Sequence, residues 1–283
     1  MVSSNRSLLS LRNAQIRWGA RTYVMGIVNV TPDSFSGDGI EEPHGATGRA
    51  IAQWNAGADL LDLGGESTRP GHRPVTEEVE VARVIPVIEA VAAQIPRAPI
   101  SVDTYKPTVA RAARSAGAEI VNSVWGASDQ LLAVVAELGM AIVAMHNQRG
   151  TAYDGPVMDA VLRYLDDCAA RAVAHGIPLE RIILDPGIGF GKTADQNIAV
   201  LRELARLVAL GFPTMLGASR KSTLGKLTGR EPQDRIYATA AATALAVDAG
   251  IDVVRVHDVA ATRDAIAVAD AIVRDWRPAS WIE

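Results

Sequence analysis

Eight short apolar runs rich in β-branched residues recur along the chain, and most are followed by a stretch of helical periodicity rich in alanine and leucine. We interpret the runs as strands at residues 23–30, 59–63, 100–103, 119–121, 142–145, 182–184, 214–217 and 253–256. The stretches between them, such as residues 77–93 and 199–210, are long enough for the crossovers that parallel strands need. No Ser/Pro/Gly-rich linker divides the sequence, so the pattern predicts an α/β fold in which residues 1–283 form one domain, a (β/α)8 TIM barrel.

The residues around the first strand argue against a doubly wound sheet and predict how the bottom of the barrel is closed. A doubly wound sheet ranks second, because its first strand is expected to lead into a G-x-G-x-x-G turn, whereas here the strand runs into NVTPD at residues 29–33. Residues 8–22 precede the first strand. We expect this short N-terminal extension to form a β-hairpin that closes the bottom of the barrel.

The composition favours an enzyme that acts on small molecules. With 48% hydrophobic residues among 283, the chain can bury one large core. The formal net charge is −4 and the basic residues are dispersed, which argues against a nucleic-acid or anionic-membrane surface. The single cysteine, Cys168, excludes an internal disulfide or a multi-thiolate metal site. Residues 1–21 are interrupted by Asn, Gln and Arg, so we expect neither a signal sequence nor a membrane span, and we expect a cytoplasmic protein.

Polar residues are dense after the predicted strands, and a TIM barrel builds its active site at the carboxyl ends of its strands. These segments, in chain order, are NVTPDSFSGDG (29–39), GGESTRPG (64–71), SVDTYK (101–106), MH (145–146), DPGIGFGK (185–192), SRKS (219–222) and RVH (255–257). In the last strand, Arg255 and His257 are two residues apart and therefore project to the same side. Together with Asn122 in the fourth strand, these segments predict a convergent polar cluster at the mouth of the barrel.

The same motifs in the same order are found in dihydropteroate synthases, and the chain resembles this family over nearly its whole length. Each motif alone is weakly specific, whereas the ordered set is strong evidence. The family joins 7,8-dihydropterin-6-ylmethyl diphosphate to p-aminobenzoate and releases pyrophosphate. The resemblance therefore implies a pterin-binding barrel enzyme of folate biosynthesis that uses Mg2+, forms a homodimer and is a target of sulfonamides.

The resemblance also assigns roles to individual residues. The pterin site is assigned to Asp103, Asn122, Asp185 and Lys221. Asp185 suits this role because one ionised carboxylate can accept from the N3–H and the 2-amino group of a pterin together. The diphosphate site is assigned to Asn29, Arg255 and His257, with the side-chain oxygen of Asn29 also approaching Mg2+. A guanidinium forks onto phosphate oxygens, and an imidazole donates to a further one.

The p-aminobenzoate site is assigned by the same resemblance to two loops and one wall of the barrel mouth, with the arylamine carboxylate near Ser222 and the start of the next helix. Its residues are Phe35, Thr68, Arg69, Pro70, Phe190, Lys221 and Ser222. We assign catalysis to Asn29, Asp103, Asp185, Lys221, Arg255 and His257. The hypothesis for the reaction is that the C–O bond breaks first, which gives a cation at the pterin methylene that the arylamine then attacks.

Several of these residues also have a purely structural interpretation. Asp185 could be only a turn former, Asp103 only a helix cap, and Arg255 could pair with Asp252 or Asp258 on the surface. His146 is more typical of a structural group and is left outside the catalytic set.

The family pattern is also incomplete in two places. Ser123 stands where the family commonly has Asp. The first loop reads GDG, with Asp38 after Gly37, where other members of the family have the order DGG.

The rival functions are a methyltetrahydrofolate:corrinoid methyltransferase, which has no need for the TPDSFS, STRP and SRKS segments, and a pterin-binding paralogue with weak synthase activity.

Overall fold

Eight parallel strands form one closed ring in the computed structural model, which describes residues 8–31, 43–67, 74–278 and 281. A hairpin of β1 (Leu8–Ser10) and β2 (Gln15–Arg17) comes first. The barrel strands are β3 (Tyr23–Asn29), β4 (Leu60–Gly64), β5 (Ile100–Asp103), β6 (Ile120–Ser123), β7 (Ala141–Met145), β8 (Ile182–Asp185), β9 (Met215–Leu216) and β10 (Val253–Val256). Their order is β8-β7-β6-β5-β4-β3-β10-β9. A parallel bridge between Leu184 and Thr214 joins β8 to the start of β9 and closes the barrel.

Helices follow the strands on the outside of the ring. They are α1 (Pro43–Asn55), α2 (Glu77–Gln94), α3 (Pro107–Ala116), α4 (Asp129–Glu137), α5 (Val157–Ala174), α6 (Ala194–Arg202), α7 (Leu204–Val208), α8 (Ser222–Thr228), α9 (Ile236–Asp248) and α10 (Val259–Val273). The predicted TIM barrel is confirmed, and so are all eight predicted strands to within a few residues. No helix in the described part of the chain is long and apolar enough to span a bilayer.

The predicted helix at residues 199–210 is wrong in its bounds. A capping box at Thr193 and Gln196 starts α6 at Ala194, because each side chain satisfies the backbone N–H of the other residue. The helix then ends at Arg202, since Glu203 leaves helical geometry with φ −111° and ψ 18°, and α7 follows as a separate turn. Periodicity alone detected the apolar face and missed this polar first turn.

The core has two layers. One fills the space between the sheet and the helices, and the other fills the inside of the barrel at its lower end. Because most strand residues are buried on both faces, the strands appear in the sequence as continuous apolar runs. Leu9, Ile16 and Trp18 pack against the inner layer, and Trp18 Nε1 donates to the carbonyl of Glu180 at 3.0 Å. The N-terminal hairpin therefore closes the bottom of the barrel, as predicted.

Candidate active site

Side chains from three distant parts of the sequence meet around Gly217, which follows β9. A Cβ atom on Gly217 would lie 3.7 Å from Asp185 Oδ2, 3.8 Å from Lys221 Nζ and 4.0 Å from Arg255 Cβ. Asp185 ends β8, Lys221 directly precedes α8 and Arg255 lies in β10. Parallel strands bring these residues to the same rim because all of their carboxyl ends point the same way. A carboxylate, an ammonium group and an arginine of the predicted cluster therefore line one space.

Arg255 is held by two buried carboxylates. Its Nε donates to Asp62 Oδ2 at 2.6 Å, and its Nη2 donates to Asp103 Oδ2 at 2.8 Å. These two acceptors fix the plane of the guanidinium and leave Nη1 without a hydrogen-bond partner in the part of the chain that the structure describes. Arg255 therefore has donors left for a ligand.

The alternative surface pairings of Arg255 are wrong. Asp252 lies at the other end of β10 and accepts from Thr214, while Asp258 pairs with Arg220 at 2.5 Å. The partners of Arg255 come instead from β4 and β5, on the far side of β3 in the ring.

Three buried oxygens near Arg255 lack a donor among the described residues. Asn122 Nδ2 donates to Asp62 Oδ2 at 2.9 Å, which ties Asn122 to the same cluster. The remaining oxygens, Oδ1 of Asp62, Asp103 and Asn122, have no hydrogen-bond partner among the described residues. A buried acceptor left without a donor costs about 1–3 kcal/mol, so this corner is suited to a ligand edge rich in N–H groups.

Burial also shifts the protonation of the acidic side chains. Desolvation raises the pKa of Asp103 to about 8, although the positive charge of Arg255 opposes the shift. The pKa of Asp185 is raised too, mainly by burial, against the opposing effects of Lys221 and of the Gly187 N–H. Gly187 N–H donates to Asp185 Oδ1 at 2.7 Å. Asp185 therefore does shape the turn after β8, and its other oxygen faces the space at Gly217.

Lys221 and Phe190 form one wall of this space. Lys221 Nζ lies 4.6 Å from the centroid of the Phe190 ring and donates to the carbonyl of Ile188 in a close contact. Burial lowers the pKa of Lys221 to about 8, and the negative charge of Asp185 opposes that shift. Ser222 is the first residue of α8 and is exposed. Of the three p-aminobenzoate residues predicted on this wall, Lys221 lies over the Phe190 ring and Ser222 is the next residue in the chain.

Asn29 and His257 lie at the same rim on neighbouring strands. Asn29 is the last residue of β3 and is half-buried, and His257 directly follows β10, which pairs with β3. His257 Nδ1 is 3.1 Å from Ser219 Oγ, and its backbone N–H donates to the same oxygen. The loop residues Phe35, Asp38, Thr68, Arg69 and Pro70 lie outside the described residues.

Two features of the site carry no motif in the sequence. Asp62 is one, and its sequence signal was a single carboxylate within the apolar strand β4. The other is that Asp62, rather than the residue after Asn122, orients the Asn122 amide. Ser123 Oγ donates instead to the carbonyl of Gly126 at 2.5 Å. The departure from the family pattern at Ser123 therefore leaves the support of Asn122 intact.

Comparison with known proteins agrees with this geometry. Residues 25–257 match the pterin binding enzyme family. The dihydropteroate synthase of Clostridium beijerinckii is 41% identical over 271 residues, which cover 94% of this chain and 100% of that protein. The chain belongs to the dihydropteroate synthase family.

Solved structures of dihydropteroate synthases have the same fold. The Yersinia pestis enzyme, solved with a sulfonamide drug complex, gives a TM-score of 0.90 at 36% identity over 95% of this chain and 100% of that one. The Xanthomonas albilineans enzyme in complex with 7,8-dihydropteroate gives 0.81 at 42% identity over 91% and 94%. The region matched to dihydropteroate synthases thus includes the barrel and every strand end that carries the candidate site.

Proposed function

We propose that this chain joins 7,8-dihydropterin-6-ylmethyl diphosphate to p-aminobenzoate and releases pyrophosphate. The observation that carries the proposal is the meeting of Asp185, Lys221 and Arg255 at Gly217, because a carboxylate suited to the pterin edge lies beside a lysine suited to the pterin O4 and an arginine suited to the diphosphate. The family membership fits this reaction, and no feature of the described site favours methyl transfer to a corrinoid.

The pterin would be bound by Asp185 on one side and, on the other, by the buried acceptors near Arg255 that lack a donor among the described residues. Asp185 accepts from the N3–H and the 2-amino group, while Lys221 Nζ donates to the O4 side of the ring. The unpartnered oxygens of Asp103 and Asn122 suit the remaining N–H groups of the dihydropterin. A ligand with several N–H donors would satisfy acceptors that are otherwise buried at a cost.

The diphosphate would lie against Arg255, His257 and Asn29. Arg255 has Nη1 available for a phosphate oxygen, since its Nε and Nη2 are used by Asp62 and Asp103. His257 donates from its ring, and Ser219 at Nδ1 fixes the ring's orientation. These groups stabilise the negative charge that grows on the leaving diphosphate as the C–O bond breaks.

Mg2+ fits this site only together with the substrate. The described residues contain no group of three His, Cys, Asp or Glu side chains that could hold a metal on their own. The amide of Asn29 has no hydrogen-bond partner among those residues, and a neutral oxygen donor suits an ion that keeps its waters and binds phosphate oxygens. Asn29 would therefore hold Mg2+ through Oδ1 beside the diphosphate, where the ion supplies positive charge to the leaving group.

The arylamine would enter over Phe190, with its carboxylate near Lys221 and Ser222. The methylene cation left by the departing diphosphate is delocalised into the dihydropterin ring, and the buried carboxylates of Asp62 and Asp185 favour it electrostatically. The amine nitrogen then attacks the methylene and loses a proton. No covalent intermediate with the protein is needed.

The test is an assay of the purified protein with the pterin diphosphate, p-aminobenzoate and Mg2+, in which pyrophosphate release and dihydropteroate formation are followed together. Equal rates of both products support the proposal. Pyrophosphate release without dihydropteroate would indicate hydrolysis, and the absence of both would indicate a pterin-binding paralogue.

A homodimer is a further part of the proposal. Large apolar side chains are exposed on the last helices, where a second copy would cover them: Leu227, Tyr237, Leu245, Val268 and Ile272. Sedimentation velocity of the wild type and of Leu245→Glu tests this, since the charge should convert a dimer into a monomer. A wild type that sediments as a monomer would contradict the proposed dimer.

A further inference from the structure

The segment 186–191, between β8 and α6, is held by side chains that bind its backbone carbonyls. Lys192 Nζ donates to the carbonyl of Gly187 at 3.0 Å and to that of Phe190 at 3.1 Å. Tyr153 donates from its hydroxyl to the carbonyl of Gly191 at 2.8 Å. Because a glycine-rich segment has little conformational preference of its own, these hydrogen bonds determine its path.

Lys192 has a third partner in the protein interior. Its Nζ lies 2.9 Å from His146 Nδ1, and the two side chains belong to residues that are 8% and 3% exposed. An ammonium group has three N–H donors, so the two carbonyls and the imidazole nitrogen satisfy it completely. Burial lowers the pKa of Lys192 to about 7, and whenever Lys192 is protonated this arrangement requires His146 to be neutral with its proton on Nε2. Burial and the charge of Lys192 favour the neutral form, since they lower the pKa of His146 to about 3.

The first half of the segment has further contacts besides the hydrogen bond from Lys192 to the Gly187 carbonyl. A Cβ atom on Gly187 would lie 1.9 Å from the carbonyl oxygen of His146, which shows how closely the segment passes the end of β7. Gly187 N–H is bound to Asp185, and Gly189 N–H donates to Asn197 Oδ1 at 2.8 Å. The second half, which carries Phe190, depends on Lys192 and Tyr153. Loss of Lys192 should therefore displace Phe190 more than it displaces Asp185.

We propose that Lys192, hydrogen-bonded to His146, is a positioning residue for the reaction. It holds the Phe190 end of segment 186–191 so that the Phe190 ring faces Lys221. Among the described residues, the hydrogen bonds of Lys192 reach the backbone of the segment and the His146 ring, and no side chain that we assign to a substrate. The inference rests on the proposed function in one respect, because it assigns Phe190 to the arylamine side of the site.

The test compares Lys192→Met with the wild type and with Lys226→Met, an exposed lysine of α8 that serves as control. Misplacement of a positioned group by about 1 Å can cost on the order of 100-fold, so we expect kcat/KM for p-aminobenzoate to fall about 10- to 100-fold. The KM for the pterin diphosphate should change less than about threefold, because Asp185 and Gly187 keep their contact. Lys226→Met should match the wild type.

Hydrogen exchange supplies a readout that does not depend on activity. In Lys192→Met, the amide of Phe190 should exchange at least about tenfold faster than in the wild type, while the amides of β8 keep their rates. If Lys192→Met does not fold, Tyr153→Phe removes one hydrogen bond from the same half of the segment. It should show the same pattern with an effect of about threefold to tenfold, typical of one lost hydrogen bond.

Each outcome decides the inference. Unchanged exchange at Phe190 would overturn it, and so would a parallel loss of affinity for both substrates, which indicates general damage to the site. A wild type that makes no dihydropteroate would contradict the proposed function instead. Hydrogen exchange at the Phe190 amide would still decide whether Lys192 holds the segment.

Discussion

Asp62 Oδ2 lies 2.6 Å from Arg255 Nε, so a carboxylate within β4 orients the guanidinium that we assign to the diphosphate. Asp62 is fully buried and the Arg255 side chain is 16% exposed, which makes this a nearly buried ion pair. The same oxygen accepts from Asn122. One carboxylate oxygen, Asp62 Oδ2, therefore positions residues of two subsites, the diphosphate site and the pterin site.

Replacement of Asp62 by Asn should break the link between Arg255 and Asn122, which both donate to the Asp62 carboxylate. The amide keeps the shape and loses the charge, so Arg255 is no longer fixed toward the rim. We expect kcat/KM for the pterin diphosphate to fall about 10- to 100-fold, as for a misplaced catalytic group. Steady-state kinetics measure this, with Asp166→Asn, an exposed aspartate of α5, as control. Normal kinetics in Asp62→Asn would show that Asp103 alone is enough to hold Arg255.

Asp185→Asn tests the proposed pterin contact. The amide offers one acceptor and one donor where the pterin edge presents two donors, so one N–H of the pterin meets another N–H. Loss of a hydrogen bond to a charged group costs about 1.5–3 kcal/mol, which corresponds to a fall of about 10- to 150-fold in affinity. Calorimetric titration with a pterin measures it directly. Near-normal binding and dihydropteroate formation would rule out the assigned role of Asp185.

Gly217→Ala should separate activity from stability. A Cβ at this position makes ordinary van der Waals contacts of 3.7–4.0 Å with Asp185, Lys221 and Arg255, so the protein can accept the methyl group without a clash. The same methyl group takes space that the pterin needs. We expect an unchanged melting temperature and a KM for the pterin diphosphate raised at least about tenfold, since overpacking a close-fitting site costs about 1–3 kcal/mol. A variant with wild-type KM would place the pterin elsewhere.

His146→Asn should flatten the acid side of the stability curve. The pKa of His146 is about 3 in the folded protein against 6.5 for an ordinary histidine, so between these values only the unfolded chain takes up the proton. The free energy of unfolding therefore falls as pH drops from 6.5 toward 3, by at most about 1.4 kcal/mol per pH unit from this residue. Asparagine cannot titrate, yet its oxygen can still accept from Lys192.

The measurement is urea unfolding of the wild type and of His146→Asn at several pH values. Asp103 acts with the opposite sign, because its raised pKa lets the folded state hold a proton that the unfolded chain loses, but this contribution is common to both proteins and cancels in the difference. Parallel stability curves for the two proteins would mean that His146 is accessible to protons in the folded state.

The sequence by itself determined the barrel and the rim at which the site lies. Strands buried on both faces appear as apolar runs, and the polar residues that follow them must gather at one end because parallel strands share a direction. For this reason Asp103, Asp185, Lys221 and Arg255 stood among the polar residues at the strand ends, and the resemblance to dihydropteroate synthases selected them from that set. The hairpin of β1 and β2 was predictable in place, since the extension precedes the first barrel strand.

Only the tertiary structure decided which charges pair. Arg255 binds Asp62 and Asp103 rather than its sequence neighbours Asp252 and Asp258, because side chains inside a closed barrel meet across the ring and not along the chain. The hydrogen bond between Lys192 and His146 also depends on tertiary structure. The two residues are 46 positions apart and meet where the segment after β8 crosses the end of β7. Local sequence carries the periodicity that builds each element, whereas hydrogen bonds between strand ends depend on distances that exist only once the barrel has closed.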